Sequence, residues 1–294
     1  GGMKATQTYV SAGARVVIDG TWKGRGGVLL GRSCCGAATS STVEQGPTGV
    51  LRGDTSAGLA LSSLVLEASG RFLSQRVVGQ MSQLSALWNA EGGLTLSAPG
   101  RSPIDIALPG SDAALRGVTI FRDSLRVPDA GDEAGAWVSE FIGKPTRLVQ
   151  IPLERARITQ AGYGKDDDRV AFADGFPLLL IGQASLEDLS QKVGQELEML
   201  RFRPNLVIEG THAYAEDSWK RIRIGDVEFR VVKPCSRCIL TTVDPQTGLR
   251  SDDREPLATL QKYRAQEEGA MFGQNLVNDG NGQLEVGMPV TILE

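Results

Sequence analysis

The chain has 294 residues, 41% hydrophobic and 22% charged, with a formal net charge of −4. This is the profile of a soluble globular protein with one large or two ordinary domains. The acidic balance argues against nucleic acid as a main partner, and no run of about 18 apolar residues predicts a membrane span. Four cysteines in a chain this long do not make a disulfide scaffold, which favours a reducing compartment. The opening Gly1-Gly2-Met3 reads as a tag scar before a start methionine.

Residues 4–66 are rich in Gly, Ser, Thr and Ala. Ala14-Arg15-Val16-Val17-Ile18 and Gly27-Val28-Leu29-Leu30 read as strands between glycine turns, and the adjacent Cys34 and Cys35 read as small residues or stray thiols. From Gly70 the pattern sharpens. Strands are expected over 72–76, 84–88, 94–96, 104–108 and 117–120, with a hairpin at Asn89–Gly93, as in an antiparallel barrel or sandwich. Ala134, Trp137, Val138 and Phe141 then fall on one helical face, with Asp132 as the expected cap and Gly143-Lys144-Pro145 as the stop. A strand follows over 147–152, and a domain boundary is expected near 145–160, giving domains 3–150 and 151–294. Asp166-Asp167-Asp168 reads as a solvated loop.

In the second half, Leu178–Ile181 is continuously apolar and reads as a doubly buried strand. Ser185 and Asp188 look like a capping box opening a helix that Gly194 ends. Strands are expected over 206–208, 221–224 and 227–231, the last two joined by a Gly225-Asp226 turn. Pro256 opens a helix through about Arg264, and a closing pair of strands turns at Gly287. The class is mainly β with a few helices (α+β). Neither a dinucleotide-binding glycine pattern nor a P-loop is present.

The hairpin delivers the chain to Cys235-Ser236-Arg237-Cys238. A structural zinc site needs four Cys or His ligands, and beyond this pair the chain offers Cys34, Cys35 and His212. A thioredoxin-like pair needs a helix N-terminus, whereas Ile239–Val243 favours a strand. A single thiolate on a soft transition metal is the third use, with Arg237 and Arg203 suited to hold an anion. The residues by themselves therefore define a β-rich enzyme or binding protein with a thiolate–arginine site.

Several segments carry a resemblance to a family. Phe172–Pro177, Phe202-Arg203-Pro204-Asn205, Tyr214–Trp219, Ile224–Val227, Cys235–Cys238 through Gly248, and Phe272-Gly273-Gln274-Asn275 together resemble the MOSC domain of molybdenum-cofactor proteins. The group is that of the bacterial YcbX-like proteins and the mitochondrial amidoxime-reducing component. Residues from about 70 to 142 resemble the β-barrel domain that precedes MOSC there. The resemblance implies an N-terminal β-barrel-like domain followed by a MOSC β-barrel domain, and a cytoplasmic bacterial oxidoreductase. It implies Mo-molybdopterin as cofactor, with Cys238 as the metal ligand and Cys235 structural. It puts Arg203, Asn205, Ser236, Arg237 and Asn275 around the pterin and its phosphate, with Gly175 and Phe176 in a neighbouring loop. The implied reaction reduces N-hydroxylated compounds (amidoximes, hydroxylamines, N-hydroxylated bases). Electrons come from an external ferredoxin- or flavin-type reductase, since the four cysteines are not spaced for an iron–sulfur cluster. His212 is the candidate proton donor, with Asp217 next. A non-enzymatic cofactor or sulfur carrier of the same fold is the alternative. Residues 4–66 depart from the family: the expected Tyr-Pro-x-Lys-Ser and Gly-Asp-Arg-Arg-Trp-like segments are missing, and Arg52-Gly53-Asp54-Thr55-Ser56 is the nearest text.

Overall fold

The computed structural model describes residues 15–17, 50–51, 63–88, 93–121, 123–151, 156–280, 284–285 and 287–294. The expected strand at 27–30, Cys34, Cys35 and most of the Asn89–Gly93 turn lie outside them.

Short strands run through the first half: β1 (Arg15–Val17), β2 (Val50–Leu51), β3 (Ser63–Glu67), β4 (Ser85–Trp88), β5 (Leu94–Ser97), β6 (Ile104–Ile106), β7 (Leu115–Ile120) and β8 (Asp123–Pro128). Helix α1 (Asp132–Ile142) and strand β9 (Thr146–Gln150) follow. Strands β4, β5 and β6 form an antiparallel meander, β7 pairs with β8, and β3 with β9. The apolar stripe of α1 buries Ala134, Trp137, Val138 and Phe141 against Val65, Leu73, Met81, Leu84 and Leu96. That is the face its spacing predicts.

Two local expectations fail here. The stretch 72–76 is not a strand. Arg71 and Phe72 make single bridges, and the Ser74 carbonyl accepts from the amides of Val77 and Val78, which curls the chain into a turn. Asp132 is the first helical residue and not the cap. Its carboxylate pairs with Arg147 at 2.8 Å, while Asp129 Oδ1 accepts from the Gly131 amide at 2.8 Å.

The second half contains β10 (Arg157–Ile158), β11 (Arg169–Val170), β12 (Leu178–Gly182), helix α2 (Gln183–Val193), β13 (Leu206–Glu209), β14 (Arg221–Ile224) and β15 (Val227–Arg237). Helix α3 (Leu257–Tyr263) and strands β16 (Ala265–Gln266), β17 (Gly269–Asp279), β18 (Leu284–Glu285) and β19 (Val290–Ile292) complete it. Among the described residues one eight-stranded sheet runs β1-β13-β12-β17-β15-β14-β19, with β16 paired to β17, and it forms a nearly closed barrel. Only β12 and β13 pair in parallel within it.

The apolar run of β12 is explained by two cores. Leu178 and Leu180 pack with Leu206, Ile222, Phe229 and Leu276 on one side. Leu179 and Ile181 pack on the other with Leu186 and Leu189 of α2, Leu260 of α3, and Phe272. A strand buried on both faces loses its polar alternation.

Four more expectations are corrected. Ser185 lies inside α2, buried, donating to Glu216 Oε1 at 2.8 Å, and Asp188 accepts from the Tyr214 hydroxyl, so neither caps the helix. Of the acidic triplet, Asp166 and Asp167 are exposed, but Asp168 is buried and holds Arg230 through both oxygens at 2.7 and 3.0 Å. Residues 239–242 form a 3-10 turn and not a strand. The Thr241 and Thr242 hydroxyls donate back to the carbonyls of Cys238 and Ile239 at 3.0 and 2.7 Å, and these local bonds override β propensity. Finally, β18 and β19 do not pair with each other. β18 joins β2, and β19 joins β14.

Candidate functional site at the cysteine motif

Strand β15 carries the motif at its end. The pleat turns Cys235 and Arg237 inward, where both are buried, and leaves Ser236 half-buried on the other face. Cys238 follows the strand with extended backbone and is also half-buried. Neither cysteine is in a disulfide. Cys235 packs among Phe202, Leu257, Leu260, Ala270 and Phe272, the environment of a structural thiol. Cys238 has the exposure a ligand-binding thiolate needs.

The Arg237 guanidinium is turned into the protein. It donates to the Phe202 carbonyl at 2.6 Å and lies 3.1 Å from Cys235 Sγ, with the Phe202 ring 5.6 Å away. It thereby ties the cysteine segment to the corner at 202–205. Arg203 is buried there with a left-handed backbone (φ +59°), and its Nη1 donates 3.0 Å to Oε1 of Gln75. Gln75 belongs to the first half of the chain, so the corner lies on the seam between the halves. Other seam contacts join Ser82 to the carbonyls of Asp244 and Pro245, and Arg250 to that of Arg76. A small cavity among Gln75, Ser82, Arg201, Arg203, Leu240 and Pro245 marks the same place. Asp244 pairs with Arg201 at 3.1 Å. Burial alone would raise its pKa, but the amides of Thr247 and Gln246 and the Arg201 charge hold it below the usual carboxylate range.

Asn205 is fixed by the sheet. Its Oδ1 accepts from the Leu179 amide at 2.8 Å, and its own amide donates to the Leu179 carbonyl. Leu179 is in register with Asn275, and Asn275 with Lys233, so one row runs across three strands, and Asn205, just before β13, joins it through its bonds to Leu179. Asn275 Nδ2 contacts the Pro234 carbonyl at 3.4 Å. Gly175 accepts at its carbonyl from the Gln160 amide, and Phe176 sits edge-on to Tyr163 with centroids 6.1 Å apart. Ser236 Oγ donates to the Glu268 carbonyl at 2.7 Å.

Cys238, Ser236, Arg237, Arg203, Asn205 and Asn275 thus belong to one connected region, with Gly175 and Phe176 beside it. His212 does not share their hydrogen bonds among the described residues. It is exposed on the loop after β13, its Nδ1 3.0 Å from the Ala213 carbonyl. Asp217, the other proton-donor candidate, is held by Arg264 at 2.6 Å and Gln274 at 2.7 Å.

Sequence reading missed Gln75, Tyr163, Lys233 and Glu268. Lys233 opens the Lys-Pro-Cys stretch and was visible there. The other three come from distant segments and carry no local signal.

Similarity to known proteins agrees with this architecture. Residues 49–145 match the MOSC N-terminal beta barrel domain and residues 167–291 the MOSC domain. The chain is 36% identical over 245 residues to mitochondrial amidoxime-reducing component 1 of Mus musculus, spanning 78% of this chain and 71% of that one. The Homo sapiens component 1 is 35% identical over 245 residues, spanning 78% and 72%. Among solved structures, a Bordetella bronchiseptica protein known from its solution structure gives a TM-score of 0.31 at 23% identity, over 37% of this chain and 85% of that chain. That likeness is too slight to build on. The chain belongs to the MOSC family, within the group of the mitochondrial amidoxime-reducing components. Those relatives are named for reducing amidoximes, which makes an oxidoreductase the family-level reading. No helix among the described residues is long and apolar enough to cross a membrane.

Proposed function

We infer that this protein reduces N-hydroxylated compounds on a molybdenum cofactor, with electrons delivered by a separate ferredoxin- or flavin-type reductase. The observation that carries the reading is the division of labour in the motif. Cys235 is buried in the core and Cys238, three residues on, is half-buried beside the seam. One accessible thiolate suits a soft metal that brings its other ligands with it. It does not suit zinc held by protein alone. Among the described residues no group of three His, Cys, Asp or Glu side chains is placed to hold an ion.

The residues present fit the cofactor. Cys238 would ligate the metal; Ser236, Asn205 and Asn275 offer hydrogen-bonding groups in the adjoining sheet; Arg203 and Arg237 supply positive charge behind it. When bound, the molybdenum group supplies the two electrons that the N–O bond takes up. The substrate gains two protons, its oxygen leaves as water, and the product is an amine or amidine. The chain's own work is to hold the corner at 202–205 rigid, through Arg237 on the Phe202 carbonyl and Arg203 on Gln75. His212, exposed and on its own loop, is the proton donor only if substrate reaches that side. The division into domains 3–150 and 151–294 belongs to this same reading. The relatives' names place them in mitochondria, so they lend no support to a bacterial cytoplasmic location.

The test is molybdenum and pterin content, measured on wild type and Cys238→Ala from a host that makes the cofactor, followed by turnover of an N-hydroxylated substrate with a reduced dye. Near-stoichiometric molybdenum in wild type, lost in the variant, is expected. A wild type holding neither molybdenum nor pterin overturns the reading. Bound cofactor without turnover favours the carrier alternative.

A further inference from the structure

Lys233 lies in β15, five residues before Cys238, at the edge of the candidate site. Its side chain is only 11% exposed, which is unusual for a lysine. The ammonium lies 4.5 Å from the centre of the Tyr163 ring, 2.6 Å from the Glu268 carboxylate and 3.4 Å from Gln160 Oε1. Gln160 and Tyr163 come from one loop and Glu268 from another. Gln160 is fixed by the Gly175 carbonyl, and Tyr163 meets Phe176 edge-on. Glu268 sits in the turn before β17, tied to Ser236 through its backbone carbonyl.

The partners differ in how easily they move. Tyr163 lies in a loop pinned at both ends, by Gln160 to Gly175 and by Lys165 to Asp279 at 2.7 Å. The Glu268 side chain is 51% exposed at a hairpin turn. A carboxylate half exposed at a turn is the partner that another anion can replace with least disturbance of the fold. The site's other two cations are differently placed: Arg237 is engaged with the Phe202 carbonyl and Cys235 Sγ, and Arg203 with Gln75, all inside the protein.

We propose that Lys233 is an anion-binding residue for a phosphate-bearing group, that Tyr163 holds its ammonium in position, and that Glu268 is the occupant such a group displaces. This deepens the reading of the site as one for a phosphorylated cofactor and rests on it. Burial by itself would lower the Lys233 pKa, but Glu268 outweighs burial and raises it, so the residue stays cationic.

The test uses calorimetric titration of inorganic pyrophosphate into the cofactor-free 294-residue chain, with thermal melts confirming that each variant is folded. Lys233→Met is expected to weaken binding by about tenfold or more, and Glu268→Gln to tighten it by roughly threefold, because the competing carboxylate is gone. Lys233→Arg keeps most of the affinity. A merely structural ion pair predicts no tightening in Glu268→Gln. Wild-type protein that ignores pyrophosphate overturns the proposal, as does Lys233→Met binding it like wild type. Pterin and molybdenum content, measured separately, decide the cofactor reading. If wild type lacks both while the titration behaves as expected, Lys233 binds anions and the cofactor assignment is what fails.

Discussion

Glu216 shows how a single side chain can be set by its surroundings. It is 1% exposed, and its Oε1 accepts from the Gly182 amide at 2.9 Å and from Ser185 Oγ at 2.8 Å. Oε2 is buried without a hydrogen-bond partner. Burial dominates these bonds and raises the pKa above the ordinary glutamate value. The folded state therefore binds the proton more tightly than the unfolded chain does. Stability from this group is full below the unfolded pKa and is lost as pH rises through the folded one. Glu216→Gln keeps the accepting oxygen and cannot ionise. Its urea-unfolding free energy is expected to change less between mildly acidic and alkaline pH than that of wild type. An identical pH slope would mean Glu216 is ionised in the fold throughout.

Two turns decide how the halves meet. The 3-10 turn Gly79–Gln83 lies against the turn at Thr247-Gly248, and a Cβ at Gly79 would sit 2.1 Å from the Gly248 carbonyl oxygen. Gly248 itself has φ +71°, so neither partner yields cheaply. Gly79→Ala is expected to destabilise by about 1–3 kcal/mol, as an overpacked contact does. It should also displace Gln75 and with it the acceptor for Arg203. Chemical denaturation checks the first effect; loss of bound molybdenum at unchanged Cys238 reactivity checks the second. The 3-10 turn after Cys238 matters at the same scale. It ends the strand at Arg237, whose partner Ala270 is the second residue of β17.

Among the described residues most ion pairs use partly exposed carboxylates, and Asp129 and Asp168 are the buried ones. Asp129, 6% exposed, receives Arg147 at 2.9 Å, Arg116, and the Gly131 amide at 2.8 Å. Burial alone would raise its pKa, but these partners together lower it. Its contribution to stability is thus present above the unfolded aspartate pKa and lost as pH falls through the lowered folded value. Asp129→Asn is expected to be less stable than wild type at neutral pH, since two guanidinium groups lose their counter-charge, yet to lose less on acidification. Urea unfolding at neutral and acid pH checks both. Parallel curves for the two proteins would count against it.

The residues themselves determined much of this protein. Helix α1 follows from its apolar spacing and the left-handed Gly143, the β14–β15 hairpin from Gly225-Asp226, and the buried strand β12 from four apolar residues in a row. These are local patterns, fixed by backbone periodicity and turn geometry, so they survive whatever packs around them. The cysteine motif was equally legible because its residues are contiguous. Tertiary structure decided the rest. Ser185 looked like a cap and is a buried partner of Glu216; Asp168 looked solvated and holds Arg230; Ile239–Val243 looked extended and curls, because partners far along the chain or hydroxyls bonding back outweigh propensity. Gln75, Tyr163 and Glu268 reach the site from segments whose own sequence says nothing of it, since their roles exist only where β15, β17 and the seam bring them together.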